Sequence, residues 1–279
     1  MKLVRFGECG HEKPGILDAK GKIRDLSGIV PDINPAVIAD LSRLRDVNPE
    51  TLPVVPDGVR IGPCVGNIGK FMCIGLNYSD HAAETGAAVP SEPILFMKAT
   101  SAVCGPNDAI FIPRNSFATD WEVELGVVIG KKAKYVSEEE AADYIAGYCV
   151  INDVSERDFQ TKRQGQWTKG KSADHFGPTG PWLVTKDEIA NPQNLKMWLT
   201  VNGQSRQNGS TKTMVYGVNI LVSYLSQFMS LHPGDIISTG TPPGVGMGMK
   251  PPQYLKPGDV VELGIEGLGT QKQSVIADK

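Results

Sequence analysis

The chain predicts a β-rich α+β fold. Glycine and proline are abundant, 31 and 20 of 279 residues, and they break the sequence into short pieces. Many of those pieces are apolar, β-branched runs of strand length. Only Thr213–Ser230 sustains apolar residues at helical spacing over several turns, and a helical bundle would need more. The length suits one large domain with a small appendage. Hydrophobic and charged contents of 41% and 21% are those of a globular protein, and a net charge of -3 offers no footprint for nucleic acid. No apolar run is long enough to cross a bilayer, and Met1–Phe6 does not read as a signal peptide. The five cysteines are widely spaced with no Cys-x-x-Cys pair, so the reading is reduced thiols in the cytoplasm and no thiolate metal site.

Residues 1–65 read as a small separate unit, with residues 66–279 as the main domain. Lys2–Phe6 and Gly15–Asp18 are short strands, the second leading into a hairpin turn over Asp18–Lys22. Asn34–Leu44 predicts one short helix, and Pro49, Pro53, Pro56 and Pro63 punctuate a linker. Phe71–Leu76 is an apolar strand. It runs into a short helix capped by Ser79 or Asp80 and stopped by Gly86. His81 and Glu84, three apart, share a face of that helix. They read either as a base with a carboxylate behind it or as a surface pair. Ile94–Lys98 and Ala109–Pro113 are further strands.

Trp121–Gly130 is the strand around which the rest is organised. Alternate side chains of a strand share a face, so Glu122 and Glu124 point together while Val123, Leu125 and Val127 point the other way. Two carboxylates so placed repel unless a cation lies between them. They are a pair of oxygen ligands for a hard divalent ion or a solvated strand face. Ser137–Glu140 has the form of a capping box and predicts a helix ending near Gly147. Tyr148–Asp153 is then a buried strand. Asp153 at its end is the candidate third ligand, or else a helix N-cap. Ser155–Arg163 predicts a short helix on which Arg157 and Gln160 share a face.

Gly165–Ser172 matches G-x-x-x-x-G-K-[ST], the phosphate-binding P-loop pattern. Its context is wrong. A P-loop lies between an apolar strand and a long helix, whereas polar residues precede this stretch and Gly177-Pro178 soon follow it. A nucleotide binder using Lys171 therefore stands only as the alternative from a different class. Trp182–Val184 and Leu195–Val201 are strands, and Asn202-Gly203 marks a hairpin. In the long helix, Met214, Val218, Leu221, Leu225, Phe228 and Met229 should face the core. His232-Pro233-Gly234-Asp235 and Lys256-Pro257-Gly258-Asp259 are two similar turns, each entering an apolar strand. Between them, Ser238–Gly248 is glycine-rich but lacks dinucleotide-binding spacing. It can bring backbone amides and the Thr241 hydroxyl against a carboxylate, or be a surface loop.

As a set, these motifs resemble the fumarylacetoacetate hydrolase family. The stretches that carry the resemblance are Gly75–Tyr78 with His81 and Glu84, Trp121–Leu125, Asn152-Asp153, Arg157–Gln160, Lys171–Asp174 and Ser238–Pro242, in the family's order. The resemblance covers the chain from about residue 70 onward. It implies a mixed β-sandwich roll with a small N-terminal β domain, and a homodimer. It implies Mg²⁺ or Mn²⁺ on Glu122, Glu124 and Asp153. His81 and Glu84 become a water-activating pair on a closing lid, and Lys171 a catalytic cation. Tyr78, Arg157, Gln160 and Thr241 become substrate contacts.

The resemblance further implies hydrolysis of a carbon–carbon bond in a small 2,4-diketo acid, giving pyruvate and a second acid. The partner is then a small 2-oxo acid, with no nucleic acid and no membrane. The whole chain looks most like bacterial members acting on 2,4-diketo-3-deoxy sugar acids of the L-fuconate and L-rhamnonate type, or like ureidoglycolate lyase. Oxaloacetate decarboxylases and isomerases share the scaffold.

Overall fold

The structure, a computed structural model, describes residues 1–80 and 89–278. Its centre is a ten-stranded sheet. From one edge the path runs Ile23–Asp25, Lys13–Leu17, Lys2–Phe6, Gly177–Thr185, Ile145–Asn152, Val123–Ile129, Ile236–Ser238, Phe71–Gly75, Ile94–Lys98. Val103–Cys104 adds to it in parallel beside Gly177 and Pro178. A second sheet, of five strands, orders Gln204–Ser210, Lys196–Val201, Val260–Ile265, Gly269–Ala277 and Ile110–Ile112. The fold is thus β-rich with few and short helices, as composition predicted.

Strand periodicity decides what each face buries. Val123, Leu125 and Val127 join Met197, Leu199 and Leu263 of the second sheet in the main core. The opposite face of the same strand carries Glu122, Glu124 and Val128. There Val128 packs with Phe71, Cys149 and Ile151 in a second core. Leu3, Ile16 and Leu26 belong to that second core, and Leu3 lies opposite Leu183 in the large sheet. The N-terminal strands therefore continue the sheet that carries the carboxylates. An ion-pair chain spans the same junction, with Arg60 donating to Glu12 at 2.9 Å and to Asp108 at 2.6 Å.

Several elements differ from their sequence signals, each for a local reason. The expected helix at Asn34–Leu44 is two short ones, Pro35–Ile38 and Ser42–Arg45, the first capped by Asn34. The Ser137–Glu140 capping bonds form, at 3.3 Å each way, but only a 3₁₀ turn over Ala141–Tyr144 comes after them. Ile145–Asn152 is already strand. Its β-branched and aromatic residues pair with two neighbouring strands, and that pairing overrides the local cap. Gly147 is not a helix stop. A Cβ there would lie 2.1 Å from the Val184 carbonyl oxygen, so the residue permits close strand approach at a register shift. The long helix is confined to Val218–Phe228. Asn77 holds the backbone N–H groups of Val215 and Tyr216 before it, which keeps Met214 out of the helix.

The hairpin and turn signals are met. Asn202 and Gly203 both have positive φ, 52° and 75°, as a tight two-residue hairpin requires. In the paired Pro-Gly-Asp turns, Asp235 and Asp259 each accept the N–H three residues back, at 2.7 and 2.9 Å. No helix among the described residues is long and apolar enough to cross a membrane.

Candidate functional site

Glu122 and Glu124 leave the large sheet on one face, and the antiparallel register brings Asp153 to them. Ile151 pairs with Glu124 and Asn152 with Val123, so the next residue, Asp153, lies opposite Glu122. Its backbone N–H donates to the Glu122 carbonyl at 2.9 Å. One carboxylate oxygen from each of Glu122, Glu124 and Asp153 falls within 4.8 Å of the others, and all three residues are buried.

Buried carboxylates need partners, and three cations converge on them. Lys171 Nζ donates to Glu122 Oε2 at 2.7 Å and to Asp153 Oδ2 at 2.8 Å. Lys98 Nζ donates to Asp153 Oδ1 and, at 3.0 Å, to the Val154 carbonyl. Arg157 Nη2 donates to Glu122 Oε1 at 2.7 Å, its Nε to Asp120 Oδ2 at 2.8 Å, and its Nη1 to Gln160 Oε1 at 3.0 Å. Glu124 differs, because among the described residues its Oε2 accepts from neutral groups, Ser238 Oγ at 2.5 Å and Gly240 N at 2.9 Å.

The titration behaviour reflects these partners. Burial pushes Glu122 up, but Lys171 and Arg157 outweigh it and hold the carboxyl at about 2. Burial together with the like charges of Asp153 and Glu122 drives Glu124 well above the usual carboxylate range. Burial lowers Lys171, but Asp153 and Glu122 raise it further, so it stays a cation. Among the described residues, four buried carboxylates (Asp120, Glu122, Glu124, Asp153) thus face three buried cations (Lys98, Arg157, Lys171). Glu124, with no cation bonded to it among the described residues, is the carboxylate left without a charged partner.

That donor set fits a hard divalent cation. All three candidate ligands offer oxygen, which suits Mg²⁺ or Mn²⁺. A carboxylate has about four lone-pair sites, so the bonds already made by Glu122 and Asp153 leave capacity for an ion.

Glu122 and Glu124 open onto a cavity of about 130 Å³ that is also lined by Arg157, Gln160, Lys171 and Thr241, with Asp153 buried behind it under Lys98 and Lys171. The sequence-predicted metal ligands, Lys171, Arg157, Gln160 and Thr241 therefore come together. Thr241 Oγ1 is already engaged, donating to the Val123 carbonyl at 2.9 Å and accepting from Gln207 Nε2 at 2.8 Å. Tyr78 is elsewhere. It is fully buried in the main core, with its hydroxyl on Met197 Sδ, and does not line the cavity. His81 and Glu84, with the helix expected to carry them, lie outside the described residues.

The P-loop-like stretch is built for packing. Lys171 ends a four-residue helix, Thr168–Lys171, and is consumed by carboxylates. Gly170 allows close approach, since a Cβ there would meet Gln160 N and Glu156 O at 2.5 Å. The Trp167 ring lies over Gly75, and Phe96 sits edge-to-face with it at 5.2 Å. Phe96 in turn carries Lys171 Nζ 5.0 Å from its ring centre. This geometry is a lysine clamp beside an acidic site and not a phosphate cradle.

Sequence reasoning missed Lys98, Asp120, Phe96 and Trp167. Asp120 had a signal, because it extends the alternation Asp120, Glu122, Glu124 along one face. It accepts Arg157 Nε and the N–H groups of Gly246 and Met247, which ties the glycine-rich loop to the arginine. Lys98 closes an otherwise apolar strand, a weaker signal.

Comparison with known proteins agrees with this geometry. A relative from Burkholderia cenocepacia (strain HI2424), named only as a hydrolase, is 62% identical over 276 residues, 98% of each chain. The solved fumarylacetoacetate hydrolase of Exiguobacterium antarcticum is 37% identical with a TM-score of 0.90, covering 100% of both chains. Maleylpyruvate hydrolase from Sphingobium sp. SYK-6, solved with manganese(II) and pyruvate, is 27% identical with a TM-score of 0.84, again over 100% of both chains. The fumarylacetoacetate (FAA) hydrolase C-terminal domain matches residues 70–276. By that match and these relatives, the chain belongs to the fumarylacetoacetate hydrolase family.

Proposed function

We propose that this enzyme hydrolyses a carbon–carbon bond in a small 2,4-diketo acid, releasing pyruvate and a second carboxylic acid. The observation that carries the reading is the cluster of Glu122, Glu124 and Asp153 beside a cavity that Glu122, Glu124, Lys171 and Arg157 line. Glu122, Glu124 and Asp153 would hold Mg²⁺ or Mn²⁺. When bound, such an ion supplies Lewis-acid polarisation of substrate oxygens. A solved relative that holds manganese and pyruvate supports the choice of substrate class.

In this reading the protein's own groups divide the work. Arg157, Gln160 and Lys171 direct N–H donors into the cavity, where they meet the carboxylate and oxo oxygens of the substrate. Lys171 stays protonated and offsets negative charge as it grows on those oxygens. His81, backed by Glu84, takes a proton from water, and the resulting hydroxide adds to the distal carbonyl carbon. The C3–C4 bond then breaks, its electron pair stays on the pyruvyl carbon, and that carbon takes up a proton. The same reading takes the chain as a cytoplasmic homodimer.

The test is release of pyruvate from a panel of acylpyruvates by enzyme stripped with EDTA and then resupplied with Mg²⁺ or Mn²⁺. Activity that returns with the metal supports the proposal. Turnover indifferent to EDTA, or no pyruvate from any panel member, overturns it.

A further inference from the structure

Resting on that hydrolase reading, we infer that the site selects a 2,4-diketo acid with an apolar acyl group over one with a polyhydroxylated or acidic acyl group. The first ground is what the polar lining can still do. Among the described residues, Glu122, Glu124, Arg157, Lys171 and Thr241 are all hydrogen-bonded within the protein. In the hydrolase reading the free lone pairs of Glu122 and Glu124 are the ones that face the divalent ion, and the donors left uncommitted among the described residues are the Gln160 Nε2 amide, two N–H groups of Arg157 and one of Lys171. Donors in that number suit the carboxylate and oxo oxygens that every such substrate shares. With the carboxylates on the ion, the described residues offer few acceptors for a row of hydroxyls, and an unpaired buried hydroxyl is disfavoured.

The second ground is the rest of the lining, which is Ile74, Leu76, Phe96, Trp167 and Met247, with Gly75 beneath the Trp167 ring. Among the described residues, both cations that line the cavity are already held by Glu122, Asp153 and Asp120, and no further cation lines it to meet a second carboxylate.

A third observation concerns the backbone of one of these lining residues. Leu76 has φ of 52°, in the left-handed region that leucine rarely adopts. Its neighbour Asn77 enforces this. The Asn77 side chain donates to the Tyr216 and Thr239 carbonyls at 3.0 and 2.8 Å and accepts from Tyr216 N at 2.9 Å. Asparagine or glycine would tolerate this backbone better. A leucine held there places an aliphatic side chain on the cavity in spite of the strain, as strained positions at functional sites do.

The experiment compares kcat/KM for butanoylpyruvate, maleylpyruvate and a 2,4-diketo-3-deoxy sugar acid, with Mg²⁺ or Mn²⁺ present. The apolar substrate should lead both others by about tenfold or more. Leu76→Asn relieves the backbone strain while making the wall polar, so it should fold as well as the parent by circular dichroism. Its preference for butanoylpyruvate over the sugar acid should fall by about threefold or more. Equal or faster turnover of the sugar acid or of maleylpyruvate overturns the inference and leaves the hydrolase reading standing. A preference ratio unmoved in folded Leu76→Asn overturns the wall as its source. No pyruvate from any of the three substrates overturns both readings together.

Discussion

Lys98 Nζ is bonded to Asp153 Oδ1, and neither side chain has any solvent exposure. The same ammonium is anchored on the Val154 carbonyl, so it fixes the carboxylate of a candidate metal ligand from behind. Removing one partner of a buried pair leaves the other charge uncompensated. Lys98→Met should therefore cost roughly 3 kcal/mol of unfolding free energy in denaturant titration. Lys171 still serves Asp153, which keeps the loss toward the lower end of such cases. Divalent-ion affinity, measured by calorimetry, should fall in the same variant. A stability within experimental error of the parent would refute the pairing as a structural element.

Glu124 tests the metal directly. Glu124→Gln keeps an oxygen to accept from Ser238 and Gly240 but removes the carboxylate that a divalent ion would bind. The variant should stay folded, with a stability change of about 1 kcal/mol or less, and should lose Mg²⁺ and Mn²⁺ binding along with nearly all turnover. Unchanged ion affinity would sink Glu124 as a ligand.

Lys171 separates the hydrolase from a nucleotide binder. Lys171→Met should abolish pyruvate formation, and the parent should bind no ATP at millimolar nucleotide with Mg²⁺ by equilibrium dialysis. The glycines give a second readout with opposite ordering. Gly165→Ala meets no atom within 4 Å but has φ of 66°, so it should cost only about 1 kcal/mol. Gly170→Ala drives a methyl against the Gln160 and Glu156 backbone and should cost more, with loss of activity through the displaced Lys171. A P-loop would instead make Gly165→Ala the variant that abolishes ATP binding.

Acid stability should depend on Glu12. Burial raises its carboxyl, but hydrogen bonding to Arg60 and the nearby Arg5 charge outweigh this and hold it below the ordinary value of 4.5. The folded pKa is therefore the lower one. The stabilisation is complete above the unfolded value and is lost as pH falls through the folded value. Between about pH 5 and pH 3, Glu12→Gln should lose less stability than the parent, as read from thermal midpoints across that range. Parallel pH profiles for the two proteins would count against the Glu12–Arg60 pair.

Strand periodicity alone placed Glu122 and Glu124 on one face, because successive side chains on a strand alternate whatever the rest of the chain does. The same local logic gave the Asn202-Gly203 hairpin and the two Pro-Gly-Asp turns, whose conformations depend on a few neighbouring residues. It also made the P-loop pattern at Gly165–Ser172 suspect, since the flanking residues could not supply a strand and a long helix. Where a local signal competed with pairing across the sheet, it lost. The Ser137–Glu140 cap formed its bonds, yet Ile145–Asn152 became a central strand. Asp153 was nominated by its place at a strand end, but only the register of that strand against Val123–Ile129 set it opposite Glu122. Lys98 and Phe96 were invisible as site residues because their meaning lies in what they touch. A lysine ending an apolar strand is ordinary until folding buries it on Asp153, and a phenylalanine is core until Lys171 lies over its ring. Such contacts join residues 55 and more positions apart, and no spacing along the chain encodes them.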